Sequence, residues 1–261
     1  MNALRLIAVY FRIGVLGETA YRANFWIQMF ESGLNLAMAL AAIAVVFSQT
    51  STLGGWLPAE LAALIGVYFL VLGAINLVVA PSLTKFMEDV VMGNLDYTLT
   101  KPADAQLLVS FAEFRIWRAI DFVLGACVLA AALALQATDA GAVDAAYFGV
   151  TLVCGTIIVY SFCLMLATLA FWFVRVENLL QIFWSMYTAG RWPVSIYPGW
   201  LKWILTIVVP VAFAVTVPAE AVAGRLHATT LAGAVALAAA LLAFSRWFWR
   251  QGLKRYSGAS A

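Results

Sequence analysis

Charge is scarce in this sequence. Only 11% of its 261 residues are Asp, Glu, Lys or Arg, whereas 65% are hydrophobic. A soluble domain keeps about 25% of its residues charged, so this composition excludes an ordinary soluble globular protein. The formal net charge of +2 is also too small to indicate nucleic acid as a partner. We therefore expect the lipid bilayer to surround most of the chain.

Residues that hold metal ions or form catalytic groups are scarce as well. His227 is the only histidine, and the three cysteines fall within apolar segments without metal-binding or disulfide spacing. No Ser/His or Asp/Asp arrangement on neighbouring apolar segments indicates an intramembrane enzyme. The phosphate-binding motif G-x-x-x-x-G-K-S/T is missing too. The sequence therefore predicts no catalytic residue, no metal site and no cofactor in this chain.

Long apolar runs are what the sequence has in abundance. A helix needs about 20 apolar residues to cross the hydrocarbon core of a bilayer. Five runs meet this requirement, at residues 25–48, 61–80, 117–135, 147–174 and 229–248. They predict an all-α integral membrane protein that forms a single domain over residues 1–261.

The positions of Lys and Arg orient these spans. Basic residues precede the first span, lie between the second and third, and follow the last, whereas residues 49–60 and 136–146 contain none. Because Lys and Arg are retained on the cytoplasmic side, both termini and the segment 81–116 are predicted to be cytoplasmic. With both ends inside, the number of crossings is even, and a sixth span must lie between the fourth and the last.

Two topologies fit this sixth region, which prolines and glycines interrupt. In one, 178–192 crosses the membrane and 193–228 forms a broken, re-entrant element at the outer face. In the other, 178–192 dips in from the cytoplasm and 200–223 crosses. Charge counting mildly favours the second, because it leaves Arg191 and Lys202 inside. Non-helical backbone at membrane depth is covered by protein or lines a wet cavity, so the region is also a candidate transport path.

The N-terminal segment, residues 1–24, is predicted to be a helix in the inner membrane interface. Its apolar residues recur at helical spacing, and Arg5 and Arg12 interrupt the hydrophobic region that a signal peptide would need.

The polar segment 81–116 carries a second amphipathic helix. Ser82, after Pro81, suits an N-cap, and Gly93 suits the residue beyond the C-terminal end. The apolar residues between them recur at the spacing of one helix face: Leu83, Phe86, Met87, Val90 and Val91. This pattern predicts a compact cytoplasmic element with one buried face.

The other face of this helix favours docking of a protein over sealing of the inner leaflet. It carries Glu88 and Asp89 beside Lys85. Helices that lie on anionic lipid are instead rich in Lys and Arg.

Polar residues inside the apolar runs are candidates for a translocation path, because such residues are costly there. Glu31 is expected either to line an inner vestibule or to pair with Arg22, and Asp121 to pair with Arg118. Asparagines in spans line a path or bond between helices. Arg191 and Glu220 are expected to pair and close the broken region. The predicted path or outer gate comprises Glu31, Asn35, Asn76, Arg191, Pro193, Pro210 and Glu220.

Several strings together resemble the permeases of type-2 ABC exporters, in particular a small six-span bacterial subgroup. "GNLDYTLTKPADAQLL" (93–108) is similar to the family stretch G-x-L-D-x-x-L-x-K/R-P. "YRANF" (21–25), "GRWPVSIYPGWL" (190–201), "IVVPVAFAVTVPAE" (207–220) and "LKRYSGAS" (253–260) agree with it. The resemblance therefore reaches both ends and the middle of the chain.

This resemblance implies a membrane subunit that is driven by other chains. A separate ABC ATPase, in two copies, would bind ATP and Mg²⁺, and a second permease, identical or related, would complete the translocation path. The chain would lie in the bacterial inner membrane with a cytoplasmic tail at 249–261. The resemblance also implies the first topology, with outer re-entrant helices at 190–228.

In such permeases the loop between the second and third spans is the coupling helix that seats in the ATPase. The turn at 175–178 would be a second, smaller contact. The residues that the resemblance and the pattern assign to ATPase coupling are Phe86, Glu88, Asp89, Gly93, Leu95, Asp96, Pro102 and Glu177.

A self-sufficient secondary transporter or channel is the alternative. It would need ionisable groups at the membrane midplane for ion coupling, and few are present beyond Glu31 and Asp121. Nothing in the sequence indicates the substrate.

Overall fold

A computed structural model describes residues 3–19, 22–136, 141–173 and 176–256, and these ranges are built from helices. Short 3₁₀ and π-helical turns connect or interrupt several of them. The α-helices are α1 (Ala3–Thr19), α2 (Arg22–Phe47), α3 (Pro58–Ala74), α4 (Ala80–Val91), α5 (Asp96–Leu99), α6 (Ala105–Ser110), α7 (Ala119–Gln136), α8 (Ala142–Thr168), α9 (Glu177–Tyr187), α10 (Gly199–Trp203), α11 (Val217–Val222) and α12 (Ala228–Leu253).

Five of the helical stretches are long and apolar enough to cross a membrane, and a sixth is added if a bent pair of helices counts as one span. The five are Ala23–Phe47, Pro58–Val91, Ile116–Gln136, Ala142–Phe171 and Ala228–Leu253. The prediction of an all-α membrane protein is confirmed.

The second of these stretches is longer than expected, because α3 continues into α4 as one helix of 34 residues. A π-helical turn, Ile75–Val79, joins them. A proline in a helix clashes with the carbonyl four residues earlier, and the wider π-turn just before Pro81 relieves that clash. The predicted N-cap at Ser82 is therefore wrong. The Ser82 hydroxyl instead donates to the backbone carbonyl of Glu113 (2.9 Å) and accepts from its N–H (3.0 Å).

The centre of the fold is the antiparallel pair α3 and α7. Glycines bring the two backbones together: a Cβ atom added to Gly73 would lie 2.6 Å from the backbone nitrogen of Phe122, and one added to Gly66 would lie 2.8 Å from that of Leu129. Without a hydrophobic force between helices in lipid, such small residues allow close van der Waals packing. Most of α3 is consequently buried.

The segment from α9 to residue 196 runs along this core from one end of the bundle to the other. It begins just after the C-terminal end of α8. Further on, the ring of Tyr187 stacks on that of Tyr68 in α3, with centroids 5.1 Å apart. Ser195 then accepts a hydrogen bond from the indole nitrogen of Trp56 (3.3 Å), close to the N-terminal end of α3.

The next segment is the bent pair, Gly199–Val208 and Ala212–Val222, whose two halves meet at 80°. It starts near Ser195 and ends near Arg225, which donates to the carbonyl of Gly55 (2.9 Å) and pairs with Glu60. Both of its ends therefore lie at the end of the bundle where α3 begins. Its middle packs closely on α8, where a Cβ atom on Gly155 would lie 2.9 Å from the Cα of Ala214.

Helix α1 lies against the polar segment 81–116. The Phe11 and Phe114 rings pack edge to face at 5.3 Å, and Lys101 donates to the hydroxyl of Tyr10 (2.6 Å). Several large apolar side chains of α1, among them Ile13 and Leu16, remain exposed. This is the distribution expected of a helix that lies in a membrane interface.

Candidate functional site

The turn that ends α4 is built by Gly93. Its φ of 74° lies in the left-handed region that favours glycine. The N–H of Gly93 donates to the carbonyl of Val90 (3.4 Å) and that of Asn94 to the carbonyl of Asp89 (2.8 Å), the two bonds of a Schellman motif. The prediction of Gly93 as the residue beyond the helix end is confirmed.

One face of α4 is anchored in the core. Leu83, Phe86 and Met87 are buried, as the periodicity predicts. The Phe86 ring lies 5.4 Å from that of Phe171, after α8, and 5.0 Å from that of Trp249, in α12. Phe86 therefore fastens the polar segment to two other apolar helices.

Leu95 is completely buried as well. Together with Phe86, it is a member of the predicted coupling set that does not reach the surface. Phe86 and Leu95 therefore stabilise the conformation of the segment and are not available to contact another protein.

The exposed end of the segment carries three large apolar side chains beside the exposed Asn94. Val91, Met92 and Tyr97 are 52%, 70% and 75% exposed, and they follow one another around the turn that Gly93 makes. We call these three residues the apolar tip. Sequence reasoning did not single out Met92 or Tyr97, although each lies within four residues of Gly93.

Polar residues of the predicted coupling set surround this tip. Glu88 and Pro102 are exposed, and Asp89 and Asp96 are half-buried. Asp96 lies beside Tyr256 in the C-terminal tail, and burial together with this carboxylate raises the pKa of the Tyr256 hydroxyl.

The second predicted contact with an ATPase is only partly described. Glu177 is the first residue of α9, and the 3₁₀ turn that follows α8 ends at Phe171. The Glu177 side chain and the whole of Arg175 lie outside the described residues.

A polar network ties the segment to α8 and α12. Arg246 binds the Asp104 carboxylate and donates to the amide oxygen of Gln106 (2.7 Å). The Gln106 amide donates to the Tyr160 hydroxyl (3.3 Å), which also shares a hydrogen bond with the Ser110 hydroxyl (2.8 Å). The hydrogen bond from Arg246 holds the pKa of Asp104 below its usual range.

Sequence reasoning missed this network, since Asp104 and Arg246 are 142 positions apart. The signal that the sequence does contain is local. Asp104 caps α6 by accepting from the N–H of Leu107 (3.2 Å), and an aspartate after Lys-Pro-Ala is typical of such a cap.

The predicted path residues on α2 and in the π-helical turn Ile75–Val79 divide into two groups. Glu31 pairs with Arg118 (3.7 Å), which also contacts Asp121 (3.9 Å). The expected Arg118–Asp121 pair is thus confirmed, whereas the Arg22 side chain lies outside the described residues. Asn35 and Asn76, by contrast, are half-buried.

The interrupted region contains the remaining path residues. The expected pair of Arg191 and Glu220 is wrong, because the Arg191 guanidinium lies over the Tyr68 ring, 5.3 Å from its centroid. Glu220 is half-buried, and Pro193 and Pro210 are buried. Pro210 lies at the 80° bend between the two halves of the bent pair.

The apolar helices and their mutual packing define a multi-pass integral membrane protein. Over residues 34–260 the chain matches the family described as ABC-2 family transporter protein. The chain belongs to this family and is therefore a membrane permease of the ABC transporter class. A search of curated proteins and a search of solved structures each found no match.

Proposed function

We propose that this chain is the permease subunit of an ATP-driven exporter, and that the apolar tip docks into a separate ABC ATPase. Two copies of that ATPase would bind ATP and Mg²⁺, and a second permease, identical or related, would share the translocation path. The family membership supports the permease assignment. The apolar tip carries the docking assignment, because three exposed apolar side chains on a well-formed turn are unusual unless another molecule covers them.

The contacts of the tip fit the transmission of force. The tip ends a helix that runs without a break from Pro58 to Val91. Phe86 joins the same helix to the ends of α8 and α12, and Asp104 joins the segment to Arg246. A push on the tip would thus move three apolar helices together. Closure of the two ATPases would rock the permeases and open a path between them towards the outside.

The direction of insertion follows from charge and from the hairpin formed by the bent pair. The segment that carries the tip contains Lys85, Lys101 and Arg115, whereas residues 49–60 contain neither Lys nor Arg. We therefore place the tip and both termini in the cytoplasm of a bacterial cell, below its inner membrane. The bent pair, whose two ends lie near residues 49–60, is then re-entrant from the outer face.

Co-purification tests the docking assignment. The chain is expressed with a candidate ABC ATPase from the same organism, and the ratio of the two proteins is measured after affinity purification. Met92→Asp or Tyr97→Asp places a charge on the tip without disturbing the core, and we expect either to abolish co-purification and transport-coupled ATP hydrolysis.

Leu57→Asp is the matched control. Leu57 is 51% exposed and lies just before the opposite end of the same helix, so this variant should retain the ATPase. Wild-type stoichiometry with Met92→Asp would contradict docking through the tip. Uphill transport by the isolated chain in liposomes, driven by an ion gradient alone, would favour the secondary transporter instead.

A further inference from the structure

Arg191 lies deep in the bundle. It packs against Tyr68, which follows Pro58 by ten residues on α3. At a rise of about 1.5 Å per residue this is about 15 Å from the start of the helix. The hydrocarbon core of a bilayer is about 30 Å thick, so the Arg191 guanidinium lies near the middle of the membrane.

No carboxylate of the described residues lies within 4 Å of the Arg191 guanidinium. Other arginines beside the apolar helices do have such partners: Arg118 contacts Glu31 and Asp121, Arg225 contacts Glu60, and Arg246 contacts Asp104. The Nε atom of Arg191 is moreover buried without a hydrogen bond.

Tyr68 satisfies this guanidinium only in part, through its ring and a side-chain hydrogen bond with Arg191. A charged side chain at the centre of a membrane is costly, and such residues typically pair with an opposite charge or mark a substrate path. A positive charge without a carboxylate partner among the described residues is therefore kept at this depth, which is typical of a residue with a ligand.

The Arg191 side chain lines a cavity of about 260 Å³ between α2 and α3. The rest of the lining is apolar, and one lining residue, Met38, is 53% exposed on the outer surface of α2. The other lining residues are Ala39, Ala42, Ile65 and Trp192. A cavity of this size and composition accommodates one small charged group with a short length of hydrocarbon chain.

The geometry points to a binding site for the anionic group of an amphiphilic substrate, a phosphate or a carboxylate, which pairs with Arg191 while the attached hydrocarbon fills the apolar lining. This inference rests on the proposed function, since it names the substrate class of the permease. A guanidinium binds such oxyanions through paired, charge-assisted hydrogen bonds. Met38 marks the side from which the hydrocarbon chain enters.

Binding of dodecyl phosphate to the full chain tests the inference. The chain is placed in nanodiscs of phosphatidylcholine, without ATPase, and the affinity for radiolabelled dodecyl phosphate is measured. A hydrogen-bonded charge pair is worth about 1.5–3 kcal/mol, so Arg191→Gln should weaken binding about ten- to hundredfold. Arg191→Lys keeps the charge and should lose less than Arg191→Gln does.

Arg225→Gln is the matched control, because Arg225 also lies over an aromatic ring, that of Trp56, but pairs with Glu60. It should bind dodecyl phosphate as the wild type does. Dodecyl maltoside, a neutral amphiphile, should show no difference between wild type and Arg191→Gln. Met38→Trp fills the cavity and leaves the charge in place, so it should weaken binding even if Arg191→Gln fails to fold.

Equal affinity of Arg191→Gln and wild type for dodecyl phosphate would overturn the inference, as would unchanged binding in Met38→Trp. Displacement by inorganic phosphate at equal concentration would identify a site for the free anion and would also overturn the amphiphile assignment. Because the assay contains no ATPase, a negative result would count against the Arg191 site and not against docking of the ATPase. A variant that no longer co-purifies with the ATPase should, conversely, still bind dodecyl phosphate.

Discussion

At the scale of single residues, the arginines of this protein differ in the partners that they contact. Arg118, Arg225 and Arg246 each contact a carboxylate, which makes them part of the structure. Arg191 instead lies over the ring of Tyr68 and lines an apolar cavity. The sequence analysis paired Arg191 with Glu220. The position of Arg191 is better explained by a ligand from outside the chain.

Asp104 gives a prediction for the dependence of stability on pH. Its pKa is lowered in the folded protein by Arg246, whereas an unfolded aspartate protonates at about pH 3.9. A lowered folded pKa means that the pair stabilises the fold fully above about pH 4 and loses this effect as the pH falls through the lowered value. Asp104→Asn should therefore be less stable than wild type at neutral pH, and the difference should shrink in acid.

Thermal unfolding of the purified protein in detergent, followed over a series of pH values, measures this difference. Arg246→Gln should remove the same dependence. A gap between wild type and Asp104→Asn that stays constant into strong acid would show that the pair does not stabilise the fold.

At the scale of elements, the glycines of α3 and α7 determine how closely the central helices approach. A methyl group on Gly73 would meet the Phe122 backbone, which cannot move aside as a flexible side chain can. Gly33 on α2 has nothing within 4 Å of the same position. We therefore expect Gly→Ala to lower the free energy of unfolding at position 73 but not at position 33.

Gly73→Ala should lower the free energy of unfolding by about 1–3 kcal/mol through overpacking. Gly33→Ala should leave it unchanged or raise it by up to about 1 kcal/mol, since alanine favours helix. Thermal unfolding of both variants in the same detergent provides the measurement. Equal stability of the two variants would mean that α3 and α7 adjust without cost.

Local patterns in the sequence predict the elements well, and contacts between distant elements poorly. The apolar runs predict the spans, and the periodicity of α4 predicts its buried face, because lipid and helix geometry act over short stretches. The continuity of the helix through Pro81 was missed, since the π-turn that accommodates this proline has no simple pattern. The Arg246–Asp104 and Glu31–Arg118 pairs were missed because each depends on how separate helices pack.

The whole molecule has two unlike ends. One carries the apolar tip, α1 and the aromatic cluster around Phe86, and the other carries Trp56, Arg225 and both ends of the bent pair. Lys202 belongs to the bent pair and is exposed, so the accessibility of this residue depends on which topology the chain adopts.

Cysteine labelling distinguishes the topologies. In a background from which the native cysteines are removed, Lys202→Cys should react with a membrane-impermeant maleimide on intact cells whose outer barrier is permeable to it. Under the proposed orientation, Leu57→Cys is the control that reacts from the outside. Tyr97→Cys should react only after the inner membrane is opened. Protection of Lys202→Cys in intact cells would favour the topology in which residues 200–223 cross the membrane.

The unbroken helix from Pro58 to Val91 also constrains how the molecule can change shape. With 34 residues and a rise of about 1.5 Å each, it is about 50 Å long and extends past the hydrocarbon core. If this helix turns as one body about the glycine contacts with α7 near its middle, its two ends swing in opposite directions. Alternation between inward and outward opening would then require no separate signal between the two faces, because a widening at one extremity is a narrowing at the other.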